Sequence, residues 1–172
     1  MSSSDQEILD KINALKSDYY ANNNKNVLFK KQQKFDLAHN ISQSIDINTL
    51  FKTIVQVTDG TMRVNYSIFK TVINPNLYES LIWYIFTVSD TLVAERGTYQ
   101  VILDLKGLTM TGVERYKGFV SMLSQAGLTH GKNYLEHIDK IYIENPPFMI
   151  ASIGQVLLPL VDKSVKGKIV MK

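Results

Sequence analysis

Residues 134–149 read YLEHIDKIYIENPPFM, and this stretch decides how the chain folds. Its centre, from Ile141 to Glu144, alternates apolar and polar residues, which is the pattern of a β-strand with one buried face. Pro146 and Pro147 follow closely, and because proline cannot donate a backbone hydrogen bond, the strand must end before them. We therefore expect a strand, a sharp stop, and a helix that begins only after the two prolines.

The helix predicted after the prolines carries a continuous apolar stripe. Its apolar residues recur at spacings of three and four, as on one face of a helix. They are Met149, Ile153, Val156, Leu157 and Leu160. Phe148, Ile150 and Val161 lie off the stripe, so the helix needs cover on more than one side, from protein or from a ligand. It is too short to span a bilayer, which takes roughly 20 residues. An ordinary core helix and a helix that covers a ligand both fit these residues.

One ordered set of residues links this stretch to a known family. The set is Tyr134, Glu136, the strand Ile141 to Ile143, Asn145, Pro147, Phe148, Pro159, Asp162, Lys168 and Ile169. In this order and without a gap, it resembles the signature block of the CRAL-TRIO lipid-binding domains. The upstream sequence DLKG, from Asp104 to Gly107, is similar to that family's strand-end motif. The resemblance covers about residues 99–169, and 50–98 more weakly. It implies that the helix after the prolines is a mobile gate over a lipid cavity.

Two charged residues flank the predicted gate. Glu136 precedes the strand and Lys168 begins the last strand, so the two side chains meet near the cavity mouth if these strands are neighbours. The resemblance implies that both belong to a phosphoinositide-binding signature, whereas a surface salt bridge of little energetic weight is the alternative. Val165 replaces a threonine of the phosphoinositide binders and Val101 a hydroxyl residue of the phosphatidylcholine binders, which leaves the headgroup open. The expected lipid-binding residues are Glu136, Lys168, Phe148, Met149, Ile153, Val156, Leu157 and Leu160.

The first half of the chain predicts an extension followed by a hairpin. Ser4 or Asp5 caps a first helix, and residues 22–48 read as loop with a short helix near 27–34. Residues 50–57 and 61–73 are rich in β-branched and aromatic residues, and Asp59-Gly60 between them is a hairpin turn signal. We expect residues 1–48 to form a helix and loop extension and residues 49–172 to form the lipid-binding domain.

The second half alternates strands and helices. Asn74-Pro75 opens a helix that ends at Gly97, a strand spans Tyr99 to Leu105, and the next helix closes at Gly127. This order favours right-handed parallel crossovers. The sequence therefore predicts an α/β fold: a mixed sheet of about five strands with helices packed on it, parallel crossovers in the C-terminal half, and a β-hairpin before them. Because family members typically continue beyond the position of Lys172, the resemblance implies a shortened, divergent member.

Composition excludes several classes of function. The formal charge of +3 is too small for a nucleic-acid binder, although it suits brief contact with an anionic membrane surface. The chain has no cysteine and no secretory signal, which favours a cytoplasmic protein that is peripheral at membranes. His39, His130 and His137 include no pair four residues apart, so we expect no zinc site. Because the sequence also shows no catalytic constellation of residues, we expect no cofactor and no enzymatic activity.

Three functions fit the sequence. The first is binding of a phospholipid or another hydrophobic small molecule between the sheet and the gate helix, with transfer or presentation at membranes. The second is a ligand-free module that binds proteins or phosphoinositide surfaces, whose core would be filled by Trp83, Phe86, Tyr116, Phe119 and Phe148. The third is a STAS-like regulatory domain, because residues 101–108 also resemble a strand and turn of that family. The sequence does not identify a protein partner.

Overall fold

The protein is described by a computed structural model that covers residues 3–129 and 132–172, with the side chains of Lys132 and Asn133 outside the description. The described residues form one five-stranded sheet in the order β1-β2-β3-β4-β5. The strands are β1 (Val55–Thr58), β2 (Thr61–Asn65), β3 (Tyr99–Asp104), β4 (Ile138–Glu144) and β5 (Ile169–Met171).

Helices precede β1 and connect the strands that follow the β1-β2 hairpin. They are α1 (Ser3–Asn22), α2 (Lys30–Ser44), α3 (Ile47–Ile54), α4 (Tyr66–Val72), α5 (Tyr78–Arg96), α6 (Met110–Thr129), α7 (Lys132–Glu136), α8 (Ile150–Leu157) and α9 (Lys163–Lys166). Two single 3-10 turns, Pro75–Leu77 and Leu158–Leu160, precede α5 and follow α8. None of the helices in the described ranges is both long and apolar enough to cross a bilayer.

The sheet is mixed, as the sequence predicts. β1 and β2 pair antiparallel around Asp59 and Gly60, whose φ angles of 47° and 78° are those that a tight hairpin turn requires. β2 pairs with β3, β3 with β4, and β4 with β5, all in parallel. The predicted fold class is therefore confirmed, with the hairpin first and the parallel crossovers after it.

The two faces of the sheet differ in what covers them. Met62, Val101 and Ile141 lie in register on neighbouring strands, and all three are buried in the main core under the helices. Arg63, Ile102 and Tyr142 form the next row of the register and point to the opposite face, where they are only half-buried. The helices thus pack on one face, and the other face is open and largely polar.

The predicted first half needs correction, because helices replace much of the predicted loop and strands. Residues 30–44 form α2 instead of loop, and Leu37, Ala38 and Ile41 are its buried residues. The segment predicted as strand from residue 50 is helix α3 up to Ile54, and the strand predicted to reach residue 73 becomes helix α4 after Asn65. Local capping explains both changes.

Two polar side chains start these unpredicted helices. Asp46 accepts a hydrogen bond of 2.9 Å from the backbone N–H of Thr49 at the start of α3. Asn65 accepts one of 3.2 Å from the N–H of Ile68 at the start of α4. Such N-cap bonds satisfy free donors of the first helical turn and outweigh the modest β preference of the residues that follow.

The C-terminal half follows the prediction more closely. The helix that ends at Gly97 and the strand from Tyr99 are present, while α6 continues past Gly127 to Thr129. The predicted gate helix is shorter than expected, because α8 begins at Ile150 and ends at Leu157. A 3-10 turn that contains Pro159 follows it. Asp162 then caps the short helix α9, which the sequence pattern does not predict.

The N-terminal helices share the core of the sheet. Ile12 of α1 and Leu37 and Ile41 of α2 belong to the same buried cluster as Val101 of β3 and Ile141 of β4. The expected division into residues 1–48 and 49–172 stays a prediction.

Candidate functional site

Helix α8 divides the candidate site into two sides. Its inner face carries Ile153, which is 2% exposed and packs in a small apolar cluster with Leu108 and Val113. Val156 and Leu157 lie half-buried against the same cluster. Three residues of the predicted stripe are therefore brought together, and their partners include Val113 of α6 rather than an empty space.

The outer flank of α8 faces an open apolar groove of about 550 Å³. The groove runs between α8, α9 and the edge strand β5. It is lined by Ile150, Ala151, Gly154, Gln155, Leu158, Pro159, Lys166 and Met171. Of these side chains only Gln155 and Lys166 are polar. Its volume falls in the range of about 300–1,000 Å³ that is usual for small-molecule sites.

Small residues create this groove. Ala151 and Gly154 lie three residues apart on α8, so their missing side-chain volume falls on one flank of the helix. A Cβ atom added at Gly154 would lie 3.7 Å from Leu158 Cδ1, which is ordinary contact. The spacing of the large apolar residues does not predict the groove, although the spacing of these two small residues is a usable signal.

Exposed apolar side chains surround the groove. Phe148 is fully exposed, and Met149, Leu158 and Met171 are 48%, 40% and 57% exposed. Leu160 of the predicted stripe is half-buried in the 3-10 turn. Phe148 and Met149 therefore lie beside the proposed gate and not within the packed layer beneath it. A contiguous exposed apolar surface of this kind is typical of a membrane, ligand or protein contact.

Lys168 reaches the main chain at Glu136 and not its carboxylate. β4 and β5 are neighbours, as the predicted meeting requires. The Lys168 Nζ atom donates to the carbonyl oxygens of Leu135 at 3.2 Å and of Glu136 at 3.3 Å. The Glu136 side chain is exposed, and the ion pairs found within the described residues do not include a Glu136–Lys168 pair.

An ion-pair network fixes the turn that leads into α8. On the open face of the sheet, Arg63 approaches Glu144 at 2.7 Å and Asp104 at 3.5 Å, and Lys172 approaches Glu144 at 3.2 Å. Asn145 donates its side-chain amide to Asp104 at 2.9 Å. The hydrogen bond from Arg63, with a weaker one from Lys172, lowers the pKa of the Glu144 carboxyl. These bonds hold the chain in place where β4 ends and the two prolines begin.

Other candidate sites are weaker. A second groove of about 360 Å³ lies beside β1, and Asp5, Lys52 and Gln56 are among its lining residues, which does not suit an acyl chain. Within residues 3–129 and 132–172 there is no group of three or more side chains placed to hold a metal ion. His130, one of the three histidines considered for zinc, lies outside the described residues.

Comparison with known proteins identifies a family over the part of the chain that contains the groove. The family model described as the CRAL/TRIO domain matches residues 62–172. The match begins in β2 and includes the proline turn, α8, α9 and β5. No curated protein matches this sequence.

Proposed function

The chain belongs to the CRAL/TRIO domain family, and on this premise we propose that it binds a phospholipid or similar amphiphile in the groove beside α8. Domains of this family bind lipophilic small molecules and are not enzymes. The main support for binding of a phospholipid or similar amphiphile is the apolar groove of about 550 Å³ along the outer flank of α8.

The lining of the groove suits an acyl chain with a polar head. Ile150, Leu158 and Met171 supply apolar surface, while Lys166 is the one charged residue among the lining side chains. Each methylene that leaves water contributes about 0.8 kcal/mol, so an acyl chain supplies most of the binding free energy. The Lys166 ammonium then orients an anionic headgroup toward α9. Lys168, held by main-chain carbonyls, adds positive charge on the same connection.

The surface around the groove supports loading at a bilayer. Phe148 is fully exposed next to the first turn of α8, and Leu158 and Met171 extend the apolar surface along both sides of the groove. These side chains enter the interfacial region of a bilayer while nearby lysines contact anionic headgroups. A lipid then moves between bilayer and groove without crossing water.

Lipid content of the folded protein tests this proposal. We would purify the chain, record native mass spectra and extract bound lipid, using material from its native host because a recombinant host loads surrogate lipids. The test variant is Gly154→Phe, which places a ring in the groove. The matched control is Gly118→Phe on α6, where a Cβ meets no atom within 4 Å.

The wild type and Gly118→Phe should retain lipid, and Gly154→Phe should lose most of it. Transfer of labelled phospholipid between vesicles should fall in parallel. A correctly folded wild-type protein with no bound lipid and no transfer activity would refute the proposal.

The packing of Ile153 favours a second candidate. Because the inner face of α8 is closed by Leu108 and Val113, the groove opens outward, as a docking surface for a partner protein also would. In that case Phe148 is an interface residue, and Phe148→Ser should abolish binding of a protein partner while the purified protein carries no lipid.

A further inference from the structure

Four basic side chains lie on four helices, and none of the four lines the groove. They are Lys16 on α1, Lys34 on α2, Lys70 on α4 and Arg115 on α6, and we call them the cation cluster. Burial lowers the pKa of Lys34, and the charges of Arg115, Lys16 and Lys70 lower it further. Burial, Lys16 and Arg115 lower the pKa of Lys70 in the same way. These directions agree with the ring contacts that place Arg115 beside Tyr116 and Lys70 beside Tyr66, two rings that are themselves in contact.

Aromatic packing holds the cation cluster in place. Tyr116 lies at its centre, with ring centroids 6.1 Å from Phe35 and 6.2 Å from Tyr66. The Arg115 guanidinium lies 5.7 Å from the Tyr116 ring, and the Lys70 Nζ atom lies 5.5 Å from the Tyr66 ring. The Tyr116 hydroxyl also donates to the Lys70 carbonyl oxygen at 2.9 Å. These contacts pack α2, α4 and α6 together around Tyr116.

No carboxylate within the described part of the chain forms an ion pair with these four residues. The ion pairs found there involve Arg63, Lys117 and Lys172. Glu114, next to Arg115 in sequence, pairs with Lys117 at 2.7 Å. The Nε atom of Arg115 is buried and has no hydrogen-bond acceptor. Like charges gathered without counter-charges destabilise a fold, and an unsatisfied buried donor adds to that effect. An anionic ligand would remove the repulsion among the four charges.

We propose that Lys16, Lys34, Lys70 and Arg115 form a binding site for an anion that carries several phosphate groups. The planar guanidinium of Arg115 suits two oxygens of one phosphate, and the three lysines supply point charges for the others. Lys16 and Lys34 precede residue 62, where the family match begins, so the N-terminal helices build half of this site. The site is separate from the groove and does not depend on lipid binding there.

A neighbouring loop indicates how to identify the source of the phosphates. Val27, Leu28 and Phe29 are 77%, 87% and 66% exposed between α1 and α2. Asn26 holds this loop by accepting hydrogen bonds from the N–H groups of Leu28 and Phe29 at 2.9 and 2.8 Å. Lys25, at the base of the loop, is close enough to lower the pKa of Lys34. An apolar loop beside a phosphate site suits a headgroup in a bilayer, whereas a soluble phosphate compound does not need the loop.

Calorimetric titration with inositol hexakisphosphate at fixed ionic strength tests the site itself. Lys34→Gln and Arg115→Gln should each weaken binding about tenfold or more, the usual effect of losing a charged hydrogen bond. Lys11→Gln, an exposed lysine on the same helix as Lys16, is the matched control and should bind like the wild type. Arg115→Lys keeps the charge and should recover part of the affinity. Absence of binding by the wild type, or equal weakening by Lys11→Gln, would overturn the proposal.

Vesicle sedimentation distinguishes the two sources. The vesicles consist of phosphatidylcholine with or without phosphatidylinositol bisphosphate, and the variant replaces Val27, Leu28 and Phe29 by serine. If the phosphate groups belong to lipid headgroups in a bilayer, this variant should lose vesicle binding and still bind inositol hexakisphosphate. A soluble source requires binding of inositol hexakisphosphate without vesicle binding. Vesicle binding that is unchanged in both Lys34→Gln and Arg115→Gln would exclude the cation cluster as the site that binds the lipid headgroup.

Thermal unfolding without ligand separates this role from a structural one. Because Lys34 is repelled by its neighbours, Lys34→Gln should unfold at the same temperature as the wild type or higher. A marked decrease would assign Lys34 to the stability of the fold and overturn its role in anion binding.

Discussion

Two glycines on α6 give a sharp test of the packing between α4 and α6. A Cβ atom added at Gly112 would collide with the hydroxyl oxygen of Tyr66, whereas one added at Gly118 meets no atom within 4 Å. Both residues lie in the same helix and neither has a positive φ angle. Gly112→Ala and Gly118→Ala therefore make the same chemical change in different surroundings.

The expected changes in stability have opposite signs. Replacing glycine by alanine within a helix stabilises it by about 0.8–1.0 kcal/mol, which Gly118→Ala should show in full. In a protein of this size 1 kcal/mol corresponds to roughly 2–4 °C in the unfolding temperature. At Gly112 the first turn gains less from helix propensity, while overpacking typically costs about 1–3 kcal/mol. Gly112→Ala should therefore lower the free energy of unfolding by about 1–2 kcal/mol.

Tyr66 cannot easily move away from the added methyl group. Its ring lies 6.3 Å from that of Phe69 in a stacked arrangement and 6.2 Å from that of Tyr116 edge-on. Removal of the hydroxyl should restore the space, so Tyr66→Phe should recover most of the stability lost in Gly112→Ala. Urea unfolding of the wild type, both single variants and the double variant forms a cycle that isolates this coupling.

A coupling energy near zero would refute the reasoning. So would equal stabilisation by Gly112→Ala and Gly118→Ala, because the Tyr66 hydroxyl would then not limit the space at Gly112.

Three further predictions concern α8, the open face of the sheet and the buried tyrosine of β3. Ile153→Ala should lower the free energy of unfolding in urea by about 2–5 kcal/mol and leave extractable lipid unchanged, since its side chain faces away from the groove. Arg63 lowers the pKa of Glu144, so this pair stabilises the fold above the ordinary carboxyl pKa of 4.5 and loses effect as the pH falls through the lower folded value. Glu144→Gln should therefore flatten the acid side of a stability–pH profile. Tyr99→Phe removes the hydroxyl that donates to the Tyr134 carbonyl at 2.8 Å. This variant should lower the free energy of unfolding in urea by about 1–3 kcal/mol.

Local turn chemistry was the most predictable part of the fold. Asp59-Gly60 specifies a hairpin through two residues that accept positive φ, and the structure places the turn there. The lengths of the flanking strands were not predictable from composition, because β-branched and aromatic residues occur on both sides of Asn65. The helix after Asn65 begins where the side-chain oxygen of Asn65 accepts a hydrogen bond from the N–H of Ile68. Propensities summed over a window do not register a single cap.

The candidate site was predictable only in part, for a geometric reason. Periodicity identified the stripe that contains Ile153 and Val156, and it correctly grouped these residues on one face. It could not tell whether that face meets a ligand or another helix, since both surroundings select large apolar residues. The groove lies instead on the flank with Ala151 and Gly154, where small residues leave volume unfilled. The periodicity of large apolar residues does not show where small side chains leave space unfilled.

Helix α8 is attached to the rest of the fold by few buried side chains. In α8 only Ile153 is buried, whereas α5 has seven buried residues that include Leu81, Ile85 and Phe86. Full burial of one isoleucine contributes about 1.5–3 kcal/mol, and a helix this short has little stability of its own. About four methylenes of an acyl chain supply a similar free energy when they leave water, at about 0.8 kcal/mol each. A lipid bound in the outer groove therefore contributes a free energy similar to the one that attaches α8 to Leu108 and Val113, whereas the seven buried residues of α5 hold that helix more firmly. We therefore expect that a displacement of α8 would leave the core that positions β3 and β4 intact.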